Sequence, residues 1–188
     1  CGSPDTLGDT VISNNGRDGI HIESEWSTFT DVLITAETPV TPTSAITRIS
    51  GNGTASATNG GNGVYVSATK SATGAVTVRN AIITGSVAGA SEDTNGNGVL
   101  DAGEDLNGNG DIDVTGGDGI AYNAMENSDM ELTVGGDPDM GNVIQDNGDD
   151  GIAITLKSLN SHFPYLTTAP EITISNNLIG GESDGIAA

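Results

Sequence analysis

The stretch GGDGIAY, residues 116–122, is one copy of a phrase that recurs along the chain. Related copies are NNGRDGIHI at 14–22, GGNGVYV at 60–66, GDDGIAI at 148–154 and ESDGIA at 182–187. The glycine before the apolar residue stands at positions 19, 63, 119, 151 and 185, so the intervals are 44, 56, 32 and 34 residues. A phrase that returns at such intervals is typical of a protein built from stacked structural repeats.

Two families of short apolar segments accompany this phrase. One family is VLIT (32–35), AVTVRN (75–80), ELTV (131–134) and EITISN (171–176). The other is TVIS (10–13), AITRIS (45–50), AIIT (81–84), NVIQ (142–145) and NLIG (177–180). Asn or Gly stands between the two, where a left-handed backbone allows a tight bend. Three short strands in each repeat predict one coil of a solenoid.

Coils paired in register about 4.8 Å apart would stack equivalent residues in columns. The recurrent phrase predicts two inward columns: Ile20, Val64, Ile120, Ile152 and Ile186, and then Ile22, Val66, Tyr122 and Ile154. A second inward ladder pairs Val32/Ile34, Val76/Val78, Leu132/Val134 and Ile172/Ile174. Such columns fill a narrow interior without aromatic clusters, which agrees with an aromatic content of 3%. A flat β-sandwich is the all-β alternative, but it leaves the recurrent Asp-Gly-Ile phrase unexplained.

On these repeats the chain resembles the right-handed parallel β-helix superfamily, the pectate-lyase-like fold with three parallel sheets. The resemblance covers nearly the whole chain outside residues 91–114. It implies an all-β, right-handed parallel β-helix of about four to five coils, with three short strands per coil, in a single domain spanning 1–188. Because the superfamily includes lyases, hydrolases, epimerases, phage tailspikes, adhesins and inert structural proteins, the resemblance says little about function.

Residues 91–114 account for the one long interval. Removing these 24 residues from the 56-residue interval leaves 32, which matches the next interval. The segment EDTNGNGVLDAGEDLNGNGDID, residues 92–113, contains seven acidic residues and few apolar ones. We therefore interpret it as an acidic loop inserted into one coil, and not as a linker between domains.

The inserted loop matches the calcium-loop pattern D-x-[DN]-x-[DN]-G-x5-E in full. The predicted ligands are Asp93, Asn95, Asn97, the backbone carbonyl of Val99, Asp101 and Glu104. Calcium takes six to eight hard oxygen ligands in flexible geometry, whereas magnesium demands a tighter octahedron. Calcium is therefore the predicted cofactor.

A second copy of the calcium-loop spacing starts immediately after the first. Its predicted ligands are Asp105, Asn107, Asn109, Asp111 and Asp113. Gly116 stands at position 12, so the closing carboxylate is missing and the site is weaker, incomplete or completed by Asp101, Asp118 or Glu92. The loops resemble those of EF-hands, dockerins and thrombospondin type 3 repeats. The last likeness is nearest because the loops lack flanking helices and follow at 12-residue spacing. A disordered acidic hairpin is the alternative.

The charge and cysteine content of the chain limit which binding partners and which cellular compartment are compatible with the sequence. Five Lys and Arg stand against 26 Asp and Glu, a net charge of −21, which repels nucleic acid and anionic membranes. No apolar run approaches 18 residues, so no membrane span is expected. Calcium-type motifs and a single cysteine favour an extracellular or cell-surface protein. Cys1-Gly2-Ser3 resembles the start of a mature bacterial lipoprotein, which implies a lipid anchor at Cys1; a fragment boundary is the favoured interpretation.

The outward positions of the first sheet are poor in groups that transfer protons. They are His21, Tyr65, Ala121, Ala153 and Ala187 in one column, and Glu23, Ser67, Asn123 and Thr155 in the next. The five basic residues are dispersed, so the arginine or lysine base of a pectate lyase is not recognisable. Asp149-Asp150 lacks the Gly-His-Gly that accompanies the Asp pair of polygalacturonases. His21 with Asp18 and Glu23 forms either a weak acid/base cluster or a solvated surface histidine, and no catalytic residue is assigned.

A column of turn residues precedes the recurrent glycines: Asp18, Asn62, Asp118, Asp150 and Asp184. Asp-Gly is a common turn dipeptide. Stacked carboxylates repel one another, so a cation bridging this column is a second interpretation.

The predicted function is a non-catalytic, calcium-stabilised extracellular β-helix that serves as a surface fibre, adhesin or matrix segment. The termini carry no recognisable capping segment. Either the chain is a piece of a longer solenoid, or its ends associate head to tail into filaments. The alternative is a polysaccharide-processing lyase or hydrolase, or a carbohydrate-binding β-helix fragment.

Overall fold

The computed structural model describes residues 10–36, 47–53, 60–89, 91, 93–104, 116–157 and 170–180. In this part of the chain the strands are β1 (Thr10–Ser13), β2 (Ile20–Ser24), β3 (Phe29–Ile34), β4 (Thr47–Ser50), β5 (Val64–Ala68), β6 (Thr73–Val78), β7 (Ala81–Thr84), β8 (Ile120–Met125), β9 (Asp129–Gly135), β10 (Val143–Gln145), β11 (Ile152–Lys157), β12 (Ile172–Ser175) and β13 (Leu178–Ile179). No helix occurs among the described residues, and the fold is all-β.

Every third strand joins the same sheet, and all strand pairs are parallel. Sheet 1 has the order β1-β4-β7-β10-β13, sheet 2 has β11-β8-β5-β2, and sheet 3 has β12-β9-β6-β3. Each round of the chain thus adds one strand to each of three sheets, which is the arrangement of a parallel β-solenoid. Four such rounds and β13 are described, so the prediction of three short strands per coil is confirmed.

The register between coils agrees with the predicted columns. In sheet 2, Ile20 pairs with Val64, and the column continues through Ile120 to Ile152. In sheet 3, the residues from Val32 to Ile172 and from Ile34 to Ile174 align in the same way. Ile186, the predicted last member of the first column, lies outside the described residues. The period-2 pattern sets this register because a slip by one residue would turn every apolar side chain outward.

The core is a stack of fully buried aliphatic side chains with one aromatic residue among them. The largest are Ile49, Val64, Val66, Val76, Val78, Ile83, Ile120, Tyr122, Met130, Leu132 and Ile144, each at 0% exposure. Burying one aliphatic side chain of this kind contributes about 1.5–3 kcal/mol. The Tyr122 hydroxyl donates a hydrogen bond to the Met130 carbonyl, which satisfies the only polar atom of that side chain. Burial raises the pKa of Tyr122 to about 12, and the nearby charge of Asp129 adds to the effect.

The recurrent glycines are required by close stacking of the coils. A Cβ on Gly19, Gly63 or Gly119 would lie 2.7, 2.6 or 2.6 Å from the carbonyl oxygen of the equivalent glycine in the next coil. The same Cβ would also meet an isoleucine methyl of sheet 1, at 2.4 Å for Gly63 and Ile83. None of the three glycines has a left-handed φ. The turn interpretation of Asp-Gly therefore misses the reason for the glycine, which is contact between coils and not backbone conformation.

The acidic turn column is held by backbone donors. The Asp18 carboxylate accepts hydrogen bonds from the backbone N–H and the side-chain Nδ2 of Asn62, at 2.9 and 3.0 Å. The side-chain oxygen of Asn62 then accepts from the Asp118 N–H, and the Asp118 carboxylate accepts from the Asp150 N–H, both at 3.1 Å. Amide donors thus offset the repulsion expected between stacked carboxylates.

Asparagine side chains join the coils at the bends between sheet 3 and sheet 1. Asn142 is 2% exposed, and its Oδ1 accepts from the Ala81 N–H at 3.0 Å. Its Nδ2 donates to the Val78 carbonyl at 2.9 Å and to Asn177 Oδ1 at 2.8 Å. At the same bends Asn80 adopts φ 52°, which confirms the predicted left-handed residue. The side chains of Asn142 and Asn177 form an asparagine ladder, which provides hydrogen-bond partners for backbone groups that cannot pair within the sheets at the bend.

Candidate metal centre

The acidic segment lies in the connection between β7 and β8, that is, between sheet 1 and sheet 2. The corresponding connection from β10 to β11 is only residues 146–151. The start of the long connection is tied to both neighbouring coils: Val87 accepts from the Gly61 N–H at 2.9 Å, and the Gly148 N–H donates to Ser86 at 2.8 Å. Strand pairing continues on both sides of the segment, from β4 through β7 to β10 and from β5 through β8 to β11.

Residues 93–104 close on themselves through the side chains predicted as ligands. Asp93 holds the turn, because its two carboxylate oxygens accept from the Asn97 N–H at 3.0 Å and from the Gly98 N–H at 2.8 Å. Gly98 has φ +73°, a conformation that glycine adopts without strain. The backbone N–H of Val99 donates to Asn97 Oδ1 at 2.7 Å. The chain therefore turns sharply at Gly98, the glycine of the calcium-loop pattern.

Glu104, predicted to close the loop, is held by four hydrogen bonds. Its Oε1 accepts from the backbone N–H and the hydroxyl of Thr94, at 3.1 and 2.6 Å, and from Asn95 Nδ2 at 3.2 Å. Its Oε2 accepts from the Asp101 N–H at 2.9 Å. The Thr94 hydroxyl contributes most to a pKa of Glu104 below its usual value. Glu104 is 7% exposed, enclosed by polar groups of its own loop.

Asp101 is the point where the two asparagines meet. Asn95 Nδ2 and Asn97 Nδ2 both donate to Asp101 Oδ2 at 2.9 Å. These bonds, that of Asn95 first, hold the pKa of Asp101 below its usual value. The side-chain amides thus supply to the carboxylates the positive hydrogens that a cation would replace. A bound cation requires the two amide groups to turn their oxygens towards it.

The donor set of this loop suits a hard cation. It contains three carboxylates (Asp93, Asp101, Glu104), two amides and backbone carbonyls, all oxygen ligands of the kind that calcium takes. Across the described residues, however, no three Asp, Glu, His or Cys side chains gather into one metal-sized cluster. The oxygen chemistry therefore fits calcium, and the carboxylates need to converge further to bind it. The predicted second set, Asp105, Asn107, Asn109, Asp111 and Asp113, lies outside the described residues.

A second polar cluster, on the outer face of sheet 2, was only partly foreseen. His21 Nδ1 lies 2.9 Å from Asp18 Oδ2, and the Asp18 side chain is 7% exposed. The His21 ring packs against Tyr65 with centroids 4.8 Å apart. Because Asn62 fixes the other oxygen of Asp18, the carboxylate orients the imidazole. In the register of sheet 2, Ala121 and Ala153 are the next members of the column that contains His21 and Tyr65, and Ala121 is 6% exposed.

Sequence reasoning missed a cation–aromatic pair at the bend between sheets 2 and 3. Lys70 Nζ lies 4.4 Å from the centroid of the Trp26 ring and 3.2 Å from Glu25 Oε2. Trp26 is 71% exposed, and its φ of 59° matches the left-handed bend at Lys70. The two residues are 44 positions apart, the same offset that pairs β2 with β5, so the stacking of the first two coils brings them together.

Comparison with protein-family models, with curated proteins and with solved structures gives no match to this chain. Among the described residues, no helix has the length and apolar character needed to cross a membrane.

Proposed function

We propose that this chain is a non-catalytic, calcium-stabilised structural solenoid of the extracellular space or cell surface, in a fibre, adhesin or matrix. The proposal includes the right-handed, pectate-lyase-like form of the β-helix. It assigns Asp93, Asn95, Asn97, Val99, Asp101 and Glu104 to a first calcium site and Asp105, Asn107, Asn109, Asp111 and Asp113 to a second. The observation that carries it is the closed loop 93–104, in which side chains at calcium-loop spacing contact one another.

The closed loop favours calcium binding for an electrostatic reason. Asp101 and Glu104 are held close to the same amide, Asn95 Nδ2, at 2.9 and 3.2 Å. Bringing the carboxylates together costs free energy that the amide hydrogens only partly offset, and a divalent cation offsets it further. Because the base of the connection is bonded to both neighbouring coils, an ordered loop also stabilises the bend between them.

Calcium titration tests the proposal. We expect saturable calcium binding by calorimetry in the wild type, with slower amide exchange in residues 93–104. Glu104→Gln keeps the size of the side chain but removes the bidentate carboxylate, and should weaken binding by at least about tenfold. Glu131→Gln, an exposed position on β9, removes the same charge outside the loop and should bind like the wild type. Equal binding by both variants, or none by the wild type at millimolar calcium, would refute the assignment.

End-to-end association is the second part of the proposal. Ile154 and Ile174 belong to inward columns, yet in the fourth coil they are 37% and 42% exposed. Another coil stacked there would bury them. Sedimentation of the purified chain with and without calcium tests this part: concentration-dependent growth supports it, and a monomer at all concentrations contradicts it.

A polysaccharide-processing or carbohydrate-binding role is the alternative, favoured by the oriented pair of His21 and Asp18 and by the exposed Trp26. Turnover of a polysaccharide that is lost in His21→Ala would establish this role and refute the non-catalytic one. The matched control is His21→Gln, which keeps a polar side chain but cannot act as a base at neutral pH.

A further inference from the structure

Asparagine followed by glycine is a reactive pair, and this chain contains it repeatedly. The pairs within the described residues begin at Asn15, Asn52, Asn62, Asn95, Asn97 and Asn147. The backbone nitrogen of the glycine can attack the side-chain carbonyl of the asparagine, because glycine has no Cβ to obstruct the approach. The reaction requires local freedom of the backbone, so it depends on how each pair is held.

Three of these pairs are fixed in the solenoid. Asn52, Asn62 and Asn147 are 0%, 6% and 3% exposed. Asn62 bonds both neighbouring coils, and Asn147 Oδ1 accepts from the Ser86 N–H at 3.2 Å. Each must leave the stack before its carbonyl can be attacked.

The pair at Asn15 is exposed, and Asn15 Nδ2 donates to Asn52 Oδ1 at 3.0 Å. The two pairs of the acidic loop are also exposed but are held differently. At the second, the Gly98 N–H donates to the Asp93 carboxylate, and Asn97 Oδ1 accepts from Val99, so both reacting groups are engaged. At the first, Asn95 Oδ1 likewise accepts from the Asn97 N–H at 3.0 Å. The difference lies in the attacking group, because no described residue accepts a hydrogen bond from the Gly96 N–H. Gly96 has φ +69°, and a Cβ there would meet no atom within 4 Å.

We propose that Asn95 is a site of spontaneous deamidation. The Gly96 nitrogen loses its proton to water and forms a bond with Asn95 Cγ. The Cγ–Nδ2 bond then breaks, and ammonia leaves. Water opens the resulting cyclic imide at either carbonyl, which yields aspartate or isoaspartate. No enzyme, oxidant or cofactor is needed.

Deamidation at this position removes the donor that closes the loop. Asn95 Nδ2 donates to both Asp101 and Glu104. The product places a fourth carboxylate in the loop, beside Asp101 and Glu104, with no hydrogen to donate, so the loop opens unless a cation is present. Residue 95, the third residue of the calcium loop, then carries a carboxylate, which is a stronger calcium ligand than an amide. This consequence rests on the proposed calcium function, whereas the deamidation does not.

The test follows the intact wild-type chain in mildly alkaline buffer with EDTA. A protease that cleaves before aspartate releases the loop peptide, and fragmentation locates the mass gain of amide-to-acid conversion. We expect conversion at Asn95 at least about tenfold faster than at Asn52 or Asn147, because the buried pairs must first open. Asn95→Gln should abolish conversion at that position, since the longer side chain does not form the five-membered imide. Conversion at Asn95 no faster than at the buried pairs would overturn the proposal.

A second experiment, with and without calcium, distinguishes the deamidation proposal from the calcium-binding proposal. Amide exchange of residues 93–104 is measured in Asn95→Asp and wild type, each with calcium and with EDTA. Faster exchange in the variant under EDTA, reversed by calcium, supports both proposals. If Asn95 converts rapidly but calcium does not change the amide exchange of residues 93–104, the deamidation site is supported and the calcium function is refuted.

Discussion

Removing the side chain of Asn142 tests whether the asparagine ladder holds the coils together. Asn142→Ala leaves the Ala81 N–H and the Val78 carbonyl without their side-chain partner, and both residues are fully buried. An unsatisfied buried backbone group costs about 1–3 kcal/mol. Two such groups give about 2–4 kcal/mol of lost stability, if Val78 keeps part of its bonding within sheet 3. That is a large part of the stability of a domain of this size.

The comparison variant is Asn177→Ala, one coil further along the same ladder. Asn177 is half-buried. Its Nδ2 donates to the Val134 carbonyl at 2.9 Å, and its Oδ1 accepts from the Asn142 N–H at 3.0 Å and from Asn142 Nδ2 at 2.8 Å. Water can replace part of this bonding, so we expect a loss of about 1 kcal/mol. Urea unfolding followed by circular dichroism gives both values, and amide exchange locates the opening, because a coil contacts only its neighbours. A loss below about 0.5 kcal/mol for Asn142→Ala would refute the reasoning and assign the cohesion to strand pairing alone.

Three further predictions follow from the core, the coil contacts and the loop. Since burial raises the pKa of Tyr122 to about 12 while the unfolded value is about 10, the unfolded chain loses that proton first. Stability should therefore fall by about 1.4 kcal/mol per pH unit between these values, and Tyr122→Phe should lack this slope in alkaline denaturation. Gly63→Ala should lower the free energy of unfolding by at least about 2 kcal/mol, measured by thermal unfolding, because the new Cβ would meet Ile83 and a backbone carbonyl. Gly16→Ala, where a Cβ has open space, should lower it by less than about 1 kcal/mol. Folding lowers the pKa values of Asp101 and Glu104, so both carboxylates stabilise the loop above their ordinary pKa values, and this stabilisation is lost as the pH falls through the pKa values of the folded state. Amide exchange of the loop should accelerate in that acidic range. A loop whose amide exchange does not change with acid would contradict this prediction.

Much of the fold could be predicted because the sequence patterns that specify it are local and recur in each coil. The alternation in the segments around Val64 and Val76 selects strands, and the recurrence of the phrase selects their register. The predicted pairing from Ile20 to Ile152 therefore agrees with the structure. The reason for Gly63 was not predictable, because a glycine needed for close packing looks in sequence like a glycine needed for a turn.

The candidate site was predictable as a spacing but not as a set of contacts. The positions from Asp93 to Glu104 follow from the calcium-loop pattern alone. That Asn95 and Asn97 donate to Asp101 depends on how the loop closes, which the spacing does not specify.

The sequence by itself determined the repeat, the strand families and the inward columns, because stacking of like on like is written into the order of apolar and polar residues. Only the tertiary structure decided which atoms of the aligned side chains form hydrogen bonds and cation–aromatic contacts. Asp18 with Asn62, Lys70 with Trp26 and Asn142 with Ala81 are joined across coils whose lengths differ. Asp18 and Asn62, like Trp26 and Lys70, are 44 residues apart, the interval from Gly19 to Gly63, so the repeat aligns both pairs. Asn142 and Ala81 are 61 residues apart, which matches no interval of the phrase. The physical reason is that a solenoid fixes neighbours through the pairing of successive coils, and bends of variable length then decide which polar groups share an edge.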